Sequence, residues 1–387
     1  LVLAVVVLAR VRYWPVVCLL SPFVLYFVDD FRPYTMQIAA GACAAAALGR
    51  WQEVREREGF HGVHAICAAC LLLIACSLTG AVWAAGLAGG AVISRPECLR
   101  RRGFWLRASP WLMTALAAGG YYAVMMWKVY RATEIEGKGI LNILFGFYEM
   151  TGLLGLGPGK DELRRSVSAV IPHLWLLIPG AACICAAWFC GLASWARSVP
   201  RRYLIGAAAT VLVPLLILTI VGIVMDFRVL GRHLSPAIPA VLLPLAACLQ
   251  AGGPRRKTTL ALGMAACLFM AISALNIRRL DRHAKDDYRR ATTTAIAALK
   301  QGKAVWWQAD MNATRYYAYR QGGMALVNTI QVLESNPPSS LLVADVVIIN
   351  RPELRIFDTN QPYDTYLKHH FFKLAEKYPG FEVWKGE

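Results

Sequence analysis

Charge is what this chain has least of. Only 17% of its 387 residues are Asp, Glu, Lys or Arg, while 57% are hydrophobic. An ordinary soluble chain is about one-quarter charged, so a water-soluble globule is excluded as the whole answer. There is no disulfide framework either. Of the 11 cysteines, all but Cys98 lie inside apolar runs, and the stretch after Arg278 holds none. Cys67-x-x-Cys70 and Cys183-x-Cys185 lack a second pair or a nearby His at zinc spacing, and within packed helices Cys serves as a small hydrophobe. A nucleotide P-loop is missing: Gly159-Lys160-Asp161 has no Ser or Thr after the Lys and no strand before the loop. There is no nucleophile elbow and no internal repeat. Charge in the middle of apolar runs is almost absent, which weighs against an ion-coupled transporter.

What charge there is leans one way, to a formal net +17. Most of the excess sits in short loops between apolar runs. That distribution is the positive-inside signature of a membrane protein rather than a nucleic-acid groove. No aromatic RNA-binding motif and no zinc-finger spacing accompany it, so nucleic acid is excluded as a partner.

Long apolar stretches recur, and they predict a polytopic membrane protein in contact with a lipid bilayer. Leu1–Ala9 is apolar from its first residue, lacks a cationic leader and a cleavage site, and reads as the cut end of a span. Tyr13–Val28 and Thr35–Gly49 flank the turn Asp29–Tyr34. Arg50–Phe60 is a charged loop. Gly62–Ile93 is too long for one span and is split near Thr79-Gly80. Arg95–Arg107, with five arginines, is the strongest cytoplasmic marker. Ser109–Trp127, Pro172–Ala193, Leu204–Met225, Leu234–Leu249 and Thr259–Asn276 follow, with the amphipathic segment Lys128–Ile171 between the first two. The expectation is about ten spans, the first partial. Alternation places the Arg-rich loops on one side, and the Asp29–Tyr34 turn, Lys128–Ile171, Asp226–His233 and the C-terminal tail on the other.

The tail has a different composition. A helix over Asp286–Lys300 capped by Asp286 or Asp287, strands at Val305–Gln308, Ala325–Asn328 and Val346–Asn350, helices at Asn312–Arg320 and Tyr363–Tyr378, and a last strand at Phe381–Trp384 predict a small α/β domain of about 100 residues. The division expected is residues 1–277 as the membrane region and 278–387 as an extracytoplasmic domain.

Three polar pieces could carry chemistry. The first is Asp29-Asp30-Phe31-Arg32-Pro33-Tyr34, where ionisable side chains crowd a membrane mouth. A hairpin that only turned would use Gly, Asn or Ser, and charge held there is costly. The second is Tyr148–Arg165, in which the Gly-rich turn Gly152–Gly159 is followed by Lys160, Arg164 and Arg165; backbone N–H groups of such a turn can hold an anion. The third is Asp226–His233, where Arg228, Arg232 and His233 sit at a helix mouth and an arginine can bind phosphate bidentately. Each has a plainer reading: a self-paired turn, an interfacial loop, or snorkelling anchors. His61, His64 and His173 read as packing residues. Trp14, Trp51, Trp83, Trp111 and Trp175 read as an interface belt.

Taken together, these pieces resemble the protein-mannosyltransferase-like branch of the membrane glycosyltransferases, the C superfamily that includes Rgt-type and aminoarabinose-transferase-like enzymes. Ser21–Arg50 is similar to the family segment in which Arg-Pro-Tyr opens an Ala/Leu-rich helix. Gly155-Leu156-Gly157-Pro158-Gly159 resembles an extracytoplasmic loop of some bacterial members. Gly231-Arg232-His233-Leu234-Ser235-Pro236 resembles the Arg-Tyr-Leu-x-Pro opening of a late helix. Lys285-Asp286-Asp287-Tyr288-Arg289 resembles the start of the family's C-terminal domain.

The resemblance implies inverting sugar transfer from a polyprenyl-phosphate donor to a lipid, glycan or protein acceptor, at the bacterial inner membrane. It implies Arg228, Arg232 and His233, with Lys160 and Arg164, as donor-phosphate residues. Asp29, Asp30, Arg32 and Tyr34 would shape the acceptor or metal environment. A divalent metal is left open. The family's acidic motif has no match here, so the general base is expected upstream of Leu1. The alternatives are a non-catalytic scaffold or degenerate relative, and a lipid-linked-sugar transporter or flippase.

Overall fold

The computed structural model describes residues 11–28, 34–53, 61–130, 140–159, 162–163, 166–224, 229–250, 252, 256–283, 286–309, 311–323, 325, 331–332, 344–350 and 367–386. The chain divides into two units. One comprises Leu1–Gly157 and Ile171–Ile277, the other Pro158–Val170 and Arg278–Glu387.

The first unit is helical. Its helices are α1 (Trp14–Leu20), α2 (Pro22–Val28), α3 (Tyr34–Glu53), α4 (His61–Cys76), α5 (Leu78–Ser94), α6 (Arg102–Tyr130), α7 (Ile140–Met150), α8 (Leu174–Ser198), α9 (Arg201–Val224), α10 (Ile238–Gln250) and α11 (Arg256–Arg279). A 3-10 turn, Gly231–Ala237, leads into α10.

The expectation of about ten spans is overturned. Among the described residues, four helices are long and apolar enough to cross a membrane: Val167–Ser198, Arg201–Val224, Gly231–Gln250 and Arg256–Arg279. The other apolar runs are cut short or diluted. Tyr13–Val28 breaks at Ser21, because Pro22 has no N–H to continue a helix, and leaves two seven-residue pieces. Gly62–Ile93 breaks at Ser77, whose side chain accepts from the Gly80 N–H and caps α5. Helix α3 is long, but Gln37, Arg50, Gln52 and Glu53 dilute its Ala-rich sequence. Helix α6 carries Arg102, Arg107, Pro110 and the pair Gly119-Gly120. Integral membrane character stands on the four longer helices.

Around these, small residues let backbones close up, the usual device where helices pack in lipid. Helix α5 lies against α9 so closely that a Cβ on Gly90 would stand 2.4 Å from the Gly206 carbonyl oxygen. The two remain glycine because nothing larger fits. Helices α8 and α9 leave Trp175, Ile178, Phe189, Leu212, Leu216 and Ile220 exposed, as lipid-facing side chains would be.

The second unit is built on a five-stranded sheet of order β2-β1-β3-β5-β4. The strands are β1 (Val305–Gln308), β2 (Gln331–Val332), β3 (Val346–Asn350), β4 (Lys373–Tyr378) and β5 (Phe381–Lys385). Strand β1 runs parallel to β2 and β3, and β5 runs antiparallel to β3 and β4. Helices α12 (Tyr288–Lys300) and α13 (Met311–Arg320) flank β1 in sequence. The Asp287 carboxylate accepts from the Arg290 N–H and caps α12, a contact worth about 1 kcal/mol. Ala291, Ala295 and Ile296 of α12 cover Val305, Trp307, Val346, Ile348, Phe381 and Val383 on one sheet face. Trp306, Val347, Ile349, Leu367 and Phe372 close the other. Because both faces of β3 are covered, it reads as an unbroken apolar run rather than an alternation.

One expected helix is instead a strand. Tyr363–Tyr378 reads as helical, yet Lys373–Tyr378 pairs with β5. A hairpin turn through Pro379 and Gly380, with φ +72° at the glycine, joins them. Residues 367–369 form a helical turn ahead of β4. The strand expected at Ala325–Asn328 lies outside the described residues except for Ala325.

Candidate functional site

The site is the mouth of the Gly231–Gln250 segment, within the helical unit. Three helices, α7, α5 and α3, converge on the 3-10 turn Gly231–Ala237. Helix α7 supplies Glu149, which is 4% exposed and whose Oε2 accepts the Gly231 N–H at 3.2 Å. A Cβ on residue 231 would lie 2.4 Å from that oxygen, so only glycine permits the contact. Helix α5 supplies Trp83, whose indole N–H donates to the His233 carbonyl at 3.0 Å. Helix α3 supplies Gln37 and Tyr34.

Ser235 and Gln37 are buried together. The Ser235 hydroxyl lies within hydrogen-bond reach of both the Gln37 Oε1 and the Arg232 carbonyl. One hydroxyl proton serves one acceptor. If the Gln37 amide turns so that its NH₂ donates to Ser235, both contacts are satisfied. The His233 ring folds back, and its Nδ1 accepts the Leu230 N–H at 3.0 Å. The turn is thus held by a carboxylate, an indole, an imidazole and a buried hydroxyl–amide pair.

Arg232 is the side chain this frame presents. Its guanidinium stands 5.8 Å from the centroid of the Tyr34 ring. Tyr34 is itself buried and meets Phe27 edge-on, with ring centroids 5.0 Å apart. Among the described residues, no carboxylate pairs with Arg232. A half-buried guanidinium stacked on an aromatic face, with its N–H donors not taken by an acid, is the arrangement that receives an anion bidentately.

Of the sequence candidates, the structure brings together Tyr34, Arg232 and His233. His233 turns its Nδ1 inward to the backbone, so it supports the turn. Asp29, Asp30, Arg32, Lys160, Arg164 and Arg228 lie outside the described residues. The Gly-rich loop does not offer a free nest at the N–H groups of Gly152, Gly155, Leu156 and Gly159, each of which has an acceptor. The Gly155 N–H donates to Ser273 Oγ at 3.0 Å, and Asn276 donates to the Gly155 carbonyl at 2.9 Å. In the other unit, the Gly159 N–H donates to Glu162 at 2.8 Å.

Gln37 was not a candidate from sequence, and Glu149 lay inside the second polar piece without a role. Glu149 is a lone acid at the end of a short apolar patch, and its partner is 82 residues away. The signal available was its cost, since a carboxylate beside an apolar helix needs a reason. Among the described residues, no group of three or more His, Cys, Asp or Glu is placed to hold a metal ion. Comparison of the chain with family models, with curated proteins and with solved structures gives no match.

Proposed function

We propose that the chain is an integral membrane glycosyltransferase that moves a sugar from a polyprenyl-phosphate donor to a lipid, glycan or protein acceptor. The observation that carries this reading is Arg232: half-buried, stacked on Tyr34, without an acidic partner among the described residues, at the mouth of an apolar segment. A lipid-linked phosphate brings its charge to that depth, with its chain in the apolar phase.

In the reaction, the acceptor oxygen attacks the anomeric carbon on the face opposite the phosphate. The bond from that carbon to the phosphate oxygen breaks, the configuration inverts, and the polyprenyl phosphate leaves with the bonding pair. A base takes the acceptor proton. Charge grows on the leaving phosphate as the bond opens, and a guanidinium already in position stabilises it more than it stabilises the ground state. Glu149, Trp83, His233 and the Gln37–Ser235 pair hold the turn that carries Arg232. The setting proposed is the extracytoplasmic face of a bacterial inner membrane, with the C-terminal unit on the same side.

The test uses membranes containing the full-length protein and a labelled polyprenyl-phosphate sugar. Arg232→Ala is expected to abolish transfer at unchanged protein level. Unchanged transfer in that variant would remove Arg232 from the donor site. A wild-type chain that moves the labelled donor between leaflets without transferring the sugar would replace the transferase reading with a lipid-linked-sugar flippase.

A further inference from the structure

Glu149 holds the turn that presents Arg232, so whatever holds Glu149 decides where Arg232 stands. Helix α7, which carries it, has 11 residues, about 16 Å of helix against a hydrocarbon layer of about 30 Å. It is not among the helices long enough to cross a membrane. A carboxylate on such a helix fixes a neighbouring turn only if the helix is itself tied to something that spans.

The tie runs from the end of α7 to α11, within the helical unit. Gly152, in the left-handed region at φ +86°, donates its N–H to the Glu149 carbonyl at 3.3 Å and turns the chain off the helix. Gly155 is then gripped at both its N–H and its carbonyl by side chains one turn apart on α11. Ser273 Oγ accepts the N–H at 3.0 Å, and Asn276 donates to the carbonyl at 2.9 Å. A Cβ on residue 155 would run into the Ser273 carbonyl oxygen, so loop and helix meet backbone to backbone. From the position before Glu149, the Tyr148 hydroxyl donates to the Leu154 carbonyl at 3.2 Å and closes the circuit. Leu154, Leu156 and Ser273 are buried around the grip, where an unpaired polar group would be costly. Helix α11 is one of the four candidate spans. Two of its side chains thus fasten a short helix to a spanning one.

We propose that Ser273 and Asn276 are positioning residues for Arg232: through Gly155, Tyr148 and Glu149 they set where the Gly231–Ala237 turn holds its guanidinium. Their effect on transfer rests on Arg232 being the donor-phosphate residue; their effect on the turn does not. The test is hydrogen exchange on the full-length protein in nanodiscs without donor. The amides of Leu230, Gly231 and His233 each have an acceptor in or against the turn. In Asn276→Ala, the segments 152–156 and 230–235 are both expected to exchange about tenfold faster, the order of effect of one lost hydrogen bond. Arg95→Ala, which loosens a joint elsewhere in the same unit, should leave 230–235 unchanged.

Transfer adds a readout that general damage does not give. Turnover at saturating donor should fall on the order of tenfold in Asn276→Ala with the donor KM changed less, because a displaced guanidinium loses the developing charge. Asn276→Gln keeps an amide donor and should recover part of both effects. Tyr148→Phe cuts the same tie at its other end and should also speed exchange at 230–235, which decides the matter where Asn276→Ala does not assemble. Unchanged exchange at 230–235 beside a loosened 152–156 would overturn the proposal, as would equal loosening of 230–235 in Arg95→Ala. Faster exchange in variants of a protein whose wild type transfers no sugar would leave the tie standing and remove the transferase reading instead.

Discussion

Of the arginines of the helical unit that sit over aromatic rings, Arg95 and Arg232 differ in one respect of their surroundings. Arg95 stands 4.9 Å from the Trp51 ring centroid, donates to the Trp51 carbonyl at 3.3 Å and lies 3.7 Å from Glu97. Trp51 is itself tied to α5 by its indole bond to the Ala91 carbonyl, and Gln52 bonds Ser94 and the Tyr203 carbonyl. Arg95 is a finished structural joint. Arg232 has the ring and lacks the acid among the described residues. Its neighbours spend their hydrogen bonds on the turn's backbone instead. The same pairing of guanidinium and ring therefore closes one end of α5 and leaves an anion-ready cation near the other.

This contrast can be broken in order of expected effect. Arg232→Ala should lower transfer by about two to three orders of magnitude, the usual loss for a group that stabilises developing charge, with little change in thermal midpoint. Arg232→Lys should recover part of it, since an ammonium keeps the charge without the planar fork. Gly231→Ala forces a methyl against Glu149 and should cost about 1–3 kcal/mol of stability. Transfer should fall with it, because the turn must shift; thermal melts and transfer assays on one preparation would show both.

Glu149→Ala leaves the buried Gly231 N–H without that acceptor, at about 1–3 kcal/mol. Glu149→Gln keeps an acceptor and should do little, so equal damage from the two would show that the charge of Glu149 matters. Arg95→Ala should cost about 1–2 kcal/mol and leave transfer at saturating donor unchanged. Loss of transfer there at intact stability would erase the distinction between the two arginines.

Part of this was legible in the residues. Val305–Gln308 and Val346–Asn350 announce strands by β-branched and aromatic content, and they form them. Tyr34, Arg232 and His233 stood out as polar groups bordering apolar runs. Lys373–Tyr378 did not read as a strand, because Lys, Leu, Ala and Glu favour helix in isolation. Its pairing with β5 overrides that preference, and Pro379-Gly380 was the local sign of the turn. Spans were over-counted because apolarity alone does not see the break at Ser21-Pro22, and because the two halves of Gly62–Ile93, split close to where the sequence put it, are too short to count as candidate spans. The role of Glu149 was not legible, because nothing near it in sequence says where residue 231 will be.

The break at Ser21 has a consequence for how the protein is made. Helices α1 and α2 are seven residues each, about 10 Å of helix, against a hydrocarbon layer of about 30 Å. The backbone between them is fully buried: Ser21 is 1% exposed, and its hydroxyl accepts the Val24 N–H at 3.4 Å. Neither half is long enough to cross that layer by itself, so the segment settles in lipid only with companions. Its companions are α3, made next, and α10, made some two hundred residues later (about two-thirds of the way along the chain). During synthesis, α8, α9 and α11 can leave the insertion machinery one at a time. The segment 14–28 must wait, shielded, until α10 arrives to close over it.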